Sequence, residues 1–213
     1  MFEAYLITLL GVVAAQASPG PNLVAVASTS LSQGRVAGLA VVGGVASGML
    51  VWSLATAFGL SVVLELFPAS LIALKLLGGA YLLWLAIKGV RSALANRPGA
   101  ITPTAKPITV TGAYFKGLFV LLTNPKAVLM WAAVSSFLFG RGLSALEVLA
   151  FGPVGAFSGL IVYGTYAWLF STGLAMRSYQ RFARWIEFAF AATFGAFGAT
   201  LVRDALSEAR SAQ

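Results

Sequence analysis

Ala17-Ser18-Pro19-Gly20-Pro21-Asn22 interrupts the first long apolar stretch of the chain. Proline lacks a backbone N–H and its ring clashes with the preceding turn, so two prolines around a glycine end a helix. The flanks, Leu6 to Gln16 and Leu23 to Leu31, are apolar enough to lie in lipid. A break at that depth exposes backbone groups that hydrocarbon cannot satisfy, so it must face protein or a watery cavity. A second break, Thr123-Asn124-Pro125-Lys126, falls inside an apolar stretch of the other half. Paired interruptions at matching places in two halves of a membrane protein point to a transport site.

The remaining sequence agrees with a lipid solvent. Of 213 residues, 59% are hydrophobic and 9% charged, with a mean hydropathy of +0.90; soluble domains carry about 25% charged residues. Roughly 20 apolar residues cross a bilayer, and six segments qualify: Ala4–Leu31, Val36–Leu64, Ser70–Ile87, Ala113–Phe139, Ala145–Leu174 and Trp185–Val202. The expected fold is an all-α integral membrane protein whose first and fourth transmembrane helices are interrupted at mid-membrane. The net charge of +8 does not imply nucleic acid, because the cations sit at segment ends and in short loops. Without cysteine or histidine the chain lacks thiol chemistry and the commonest metal ligands, so no metal or cofactor is expected. Ala15-Gln16-Ala17 resembles a signal-peptidase site, but the preceding region carries Glu3 where a positive charge is needed, and no cleavage is expected.

The chain reads as two copies of one unit. A shift of 106 places Gly11 on Gly117, Pro19 on Pro125, and Gly34-Arg35 on Gly140-Arg141. Gly44-Val45-Ala46-Ser47-Gly48 matches Gly155-Ala156-Phe157-Ser158-Gly159 at 111, and Val90–Leu94 matches Val202–Leu206 at 112. Each copy has three crossings, so the second enters from the opposite side as an inverted repeat. The units are 1–94 and 109–206, joined by a Pro-rich cytoplasmic linker at 95–108 and followed by a polar tail at 207–213. Nine Lys and Arg (Arg35, Lys88, Arg91, Arg97, Lys106, Lys116, Arg177, Arg181, Arg184) fall on one face and three (Arg141, Arg203, Arg210) on the other. The positive-inside rule makes the first face cytoplasmic, with both termini periplasmic.

Gly34/Gly38, Gly44/Gly48 and Gly155/Gly159 are spaced four apart, the interval that lets helix backbones approach closely in lipid, and helix packing is their expected role. The breaks themselves carry the chemistry. After Pro21 and Pro125 a new half-helix begins, with Ser18 or Asn124 placed to cap it. The first amides of such a helix are unpaired and carry partial positive charge, which suits a carboxylate. The carbonyls ending each preceding half-helix would accept from an ammonium. Lys126 lies too deep to reach either surface, and a lone cation at that depth is a functional candidate. Two partners are open to it, a substrate carboxylate or the exposed carbonyls of the break. Glu65, Glu147 and Glu187 all read as lying near segment ends. Candidate substrate-binding residues are thus Gln16, Ser18, Pro19, Gly20, Pro21, Asn22, Thr123, Asn124, Pro125 and Lys126.

Ser18–Asn22, Ser30-Leu31-Ser32-Gln33-Gly34-Arg35-Val36-Ala37-Gly38, Gly44 and Gly48 resemble the lysine exporter / homoserine–threonine efflux family (LysE/RhtB). So do Leu76-Leu77-Gly78-Gly79-Ala80-Tyr81-Leu82 and Asn124-Pro125-Lys126 after Lys116-Gly117. The resemblance is strong over about residues 5–140 and weaker beyond. It implies an exporter of small amino acids or their derivatives in the bacterial inner membrane, driven by the proton gradient, with Pro19–Asn22 and Asn124–Lys126 as signature positions. The carrier of the proton is open among the substrate, Lys126 and a glutamate that moves. Expected partners are a small-molecule substrate and the lipid bilayer; a homodimer is open. The rival readings are a non-transporting membrane scaffold, or an exporter of another metabolite or metal ion. An enzyme is not expected, since neither a Gly-x-Ser-x-Gly motif nor a histidine or cysteine nucleophile system is present.

Overall fold

The computed structural model describes residues 2–67, 70–95, 107–172 and 175–211. Over these residues it is built of helices, with no strand: α1 (Phe2–Ala17), α2 (Pro21–Leu66), α3 (Ser70–Ala95), α4 (Val110–Thr123), α5 (Pro125–Gly140), α6 (Ala145–Phe170) and α7 (Ala175–Ser211). α2, α3, α6 and the Arg184–Arg210 part of α7 are each long and apolar enough to cross a membrane. α4 and α5, bent by 61° at Asn124, form a fifth candidate together, and α1 is a shorter apolar helix. This is the architecture of an α-helical membrane protein.

Both prolines act as the sequence requires. Each opens a helix at its first position, where the missing N–H costs nothing. α2 has 46 residues, which at 1.5 Å per residue is roughly 70 Å, about twice the hydrocarbon thickness. It is divided by Gly34, whose φ of 82° and ψ of −177° lie where glycine alone rests without strain. Between the expected segments ending at Leu31 and starting at Val36 the helix is therefore broken only by a kink at Gly34. Gly34 was expected to pack helices and does not: nothing lies within 4 Å of the place where a side chain would begin.

Two helices outrun their expected ends. α3 continues past Ile87 to Ala95, and α7 begins ten residues before Trp185 and runs through the expected tail to Ser211. The expected linker falls mainly on 96–106, outside the described residues. At its end the Ile108 amide donates to the Gln33 side chain at 2.8 Å, and Thr109 caps α4 by accepting from the Gly112 amide at 3.1 Å. The start of α4 is thereby tied to the kink of α2.

α3 packs against α7, and α2 packs against both α4 and α6. Where α2 meets α4 the backbones come into contact. A Cβ on Gly44 would sit 1.9 Å from the Tyr114 carbonyl oxygen, and one on Gly117 would sit 2.0 Å from that of Val41. Gly38 faces Ser30 and Ala167, Gly48 faces Leu121, Gly155 faces the Trp131 ring, and Gly159 faces Met49, all at or inside ordinary contact distance. Small residues permit this approach, and dispersion across it holds the helices where lipid offers no hydrophobic drive. Pro153 within α6 cannot donate to the Leu149 carbonyl four residues earlier; the Ser53 hydroxyl of α2 donates to it instead, at 3.4 Å. Lys75, buried in α3, makes an ion pair with Glu208 of α7.

Candidate functional site

The two proline breaks meet. Asn124 ends α4 and caps α5: its side-chain oxygen accepts from the Lys126 amide at 3.0 Å. Its side-chain nitrogen donates to the Asn22 side-chain oxygen at 3.2 Å, and Asn22 in turn donates to the Tyr163 hydroxyl of α6 at 3.3 Å. One buried chain of amides thus joins the first turn of α2, the α4–α5 break and α6. Both asparagines are almost fully buried, where an unmade hydrogen bond costs about 1–3 kcal/mol, so the chain fixes the two breaks against each other.

Lys126 reaches from the first turn of α5 across to the other break. Its side-chain nitrogen donates to the Ala15 carbonyl at 3.1 Å and to the Ser18 hydroxyl. It also lies over the rings of Phe190 and Phe194 of α7, at 5.8 and 5.6 Å from their centroids. Of the two partners the sequence left open, the carbonyl of the break is the one engaged here. The Ala17 carbonyl is also taken, by the Tyr166 hydroxyl at 2.9 Å. Two of the carbonyls expected to receive a substrate ammonium, those of Ala15 and Ala17, thus already accept from Lys126 and Tyr166.

Ser18 does not cap α2, contrary to expectation. Gly20 occupies the cap position and no side chain bonds the first amides of the helix, because the Ser18 hydroxyl is turned to Lys126 instead. Gln16 is buried beside the break; it donates to the Gly155 carbonyl at 2.9 Å and accepts from the Ser158 hydroxyl at 3.1 Å. Thr123 is separated from the others. It is exposed, and its hydroxyl donates back to the Phe119 carbonyl at 2.7 Å. A Thr123→Ala variant is expected to leave transport within about twofold of wild type in a vesicle uptake assay, since surface changes of this kind cost little.

Two cavities flank the junction, and Ser18, Gly20, Asn124 and Lys126 border both. The smaller, about 50 Å³, is walled by Gln16, Asn22, Met49, Met130, Trp131 and Tyr163. About 10–15 Å³ of such space admits one water, so this cavity has room for a few. The other, about 470 Å³, runs from Pro19 and Pro21 along Tyr81, Trp84, Lys88 and Ser92 of α3 and Glu187, Phe190 and Phe194 of α7. That is within the roughly 300–1,000 Å³ of small-molecule sites. The breaks form a polar partition between the two cavities.

Sequence reasoning missed the walls of this site. Tyr163 and Tyr166 lie in α6, a helix apolar on nearly every side, and an amphipathic pattern cannot mark a site side there. Glu187 carried a signal, an acid at the head of an apolar segment, and was placed near that segment's end. α7 begins twelve residues earlier, and Glu187 is buried, accepting from the Ser92 hydroxyl at 2.8 Å.

The model of the LysE type translocator family matches residues 13–205. The threonine efflux protein of Salmonella typhimurium is 31% identical over 192 residues, 87% of this chain and 90% of that protein. The threonine efflux protein of Escherichia coli (strain K12) is 29% identical over 209 residues, 95% and 98% of the two chains. A leucine efflux protein of Klebsiella pneumoniae is 31% identical over 129 residues, 61% and 60% of the two. No solved structure matches the chain.

Proposed function

This chain belongs to the LysE type translocator family, and from that premise we propose that it exports small amino acids or their derivatives across the bacterial inner membrane. It is a membrane transporter, not an enzyme. The observation that carries the substrate reading is the junction of the breaks: Asn22 and Asn124 bonded at 3.2 Å, with Lys126 spanning both. The uncapped amides of α2 and the side chain of Lys126 are the donors for a substrate carboxylate, a use of half-helix ends at mid-membrane that recurs in secondary transporters. The names of the threonine and leucine efflux relatives support an amino acid cargo.

The transport cycle follows from the partition. The six spans are α1 with the first limb of α2, the second limb of α2, α3, the bent pair α4–α5, α6 and α7, arranged as two inverted units, 1–94 and 109–206. Support comes from the two breaks and from the left-handed glycines, Gly34 and Gly142, which follow the broken span in each unit. By the positive-inside rule the cavity reaching Lys88 and Ser92 is the cytoplasmic one, so substrate enters there. Movement of one unit against the other would close it and widen the smaller cavity beside Gln16 and Trp131 toward the periplasm. Coupling to the proton gradient completes the proposal, with both termini periplasmic.

The purified protein in proteoliposomes loaded with unlabelled amino acid is expected to accumulate the labelled form by counterflow, with threonine and leucine tested first among the twenty. Absence of counterflow with every member of the panel sinks the reading.

A further inference from the structure

Resting on the export reading, we propose that Glu187 is the residue that recognises the substrate ammonium, and that a proton replaces the ammonium there when the site is empty. The observations are geometric. Glu187 lines the 470 Å³ cavity together with Lys126, is 6% exposed, and has no ion-pair partner among the described residues. Its backbone fits closely against Gly89 of α3, where a Cβ would lie 3.4 Å from the Glu187 carbonyl oxygen. Its carboxylate accepts from the Ser92 hydroxyl. Phe190, three residues on and hence on the same face of α7, is one of the rings beneath Lys126. Three residues advance about 4.5 Å along a helix, so the carboxylate stands within a turn of that ring, yet the lysine and the glutamate make no ion pair.

A fixed amine and a fixed carboxylate that share a cavity without touching suit a ligand whose own two charges run in the opposite order. An α-amino acid is such a ligand: its carboxylate meets Lys126 and the start of α2, and its ammonium meets Glu187. At the first break the Ala15 and Ala17 carbonyls already accept from Lys126 and Tyr166, and a carbonyl carries no full charge to offset an ammonium. Glu187 is the acid left in the cavity for that task. The charged and titratable groups around it are Lys88 and Tyr81 from α3 and Lys126 from α5, with no second acid among them. A carboxylate buried in low dielectric is stable as an ion when paired and otherwise takes up a proton. Ammonium and proton therefore occupy the same oxygen atoms in turn. As the neutral zwitterion leaves, a proton binds Glu187 and Lys126 returns to the Ala15 carbonyl and the Ser18 hydroxyl, so each exchange carries one positive charge inward.

Glu187→Gln keeps the shape and the bond to Ser92 but has neither the charge that holds an ammonium nor an acid that takes up a proton. In proteoliposome counterflow with labelled L-threonine, wild type is expected to show a KM that rises as pH falls. Glu187→Gln should show a KM raised at least tenfold and independent of pH, while Glu187→Asp should keep the pH dependence. N-acetyl-L-threonine, which has no ammonium, should fail to compete on the wild type, a readout that needs no variant to fold. Wild-type KM and pH dependence in Glu187→Gln, or full competition by the N-acetylated compound, overturns the assignment and leaves export standing. Absence of counterflow by the wild type with any of the twenty amino acids removes the export reading and this assignment with it.

Discussion

Lys126→Ala is expected to reduce efflux at least a hundredfold while the protein still folds and inserts. The size follows from the charge that is lost. Removing one partner of a buried, hydrogen-bonded charge pair costs about 2–5 kcal/mol, and about 2.8 kcal/mol is a hundredfold in an equilibrium constant. The structural price is smaller. Lys126 holds the Ala15 carbonyl and the Ser18 hydroxyl, and a buried acceptor left unsatisfied costs about 1–3 kcal/mol. The sharper variant is Lys126→Gln, which restores a donor to the Ala15 carbonyl but not the charge. If the lysine only mends the break, glutamine rescues transport and thermal stability together. If the charge receives the substrate carboxylate, glutamine rescues the melting temperature in detergent and leaves efflux near the alanine value. The second outcome is the expected one, and rescue of both would reject a substrate role for Lys126.

Gly44→Ala is expected to lower stability by about 3 kcal/mol, the upper part of the range for overpacking a tight interior, or to prevent accumulation of folded protein. The added methyl would sit 1.9 Å from the Tyr114 carbonyl oxygen, 2.7 Å from the Leu118 amide nitrogen and 2.9 Å from the Tyr114 carbonyl carbon. Those atoms are backbone within α4 and cannot rotate away as a side chain would, so α2 and α4 must separate along their whole crossing. Gly164→Ala is the control, because nothing lies within 4 Å of its Cβ position and alanine is the better helix former by about 1 kcal/mol. Thermal unfolding of both variants in detergent measures the contrast. A Gly44→Ala protein that melts with the wild type would show that the α2–α4 contact is looser than described.

The tertiary structure also redistributes roles that the sequence had assigned by proximity. Ser18, next to Pro19, read as a helix cap and is instead a ligand of Lys126. Thr123, next to Asn124, read as a site residue and faces away. Neighbours in a broken helix leave the axis in different directions, so adjacency along the chain predicts depth in the membrane but not the side that a side chain faces. Gly34, grouped with Gly38 by spacing, makes a kink where Gly38 makes a contact.

What the sequence determined alone is everything that follows from local chemistry and the solvent. Apolar length fixed the helices and the membrane. The prolines fixed both breaks to within a residue, because a missing N–H acts where it stands, whatever the rest of the chain does. Only the tertiary structure decided that the two breaks touch, that Lys126 bonds the Ala15 carbonyl of the first break, and that Glu187 stands in the same cavity as Lys126. Those facts depend on which faces of α3, α5 and α7 are turned together. In a chain apolar on nearly every face, helix rotation is set by close packing at glycines and a few buried hydrogen bonds, which no periodicity records.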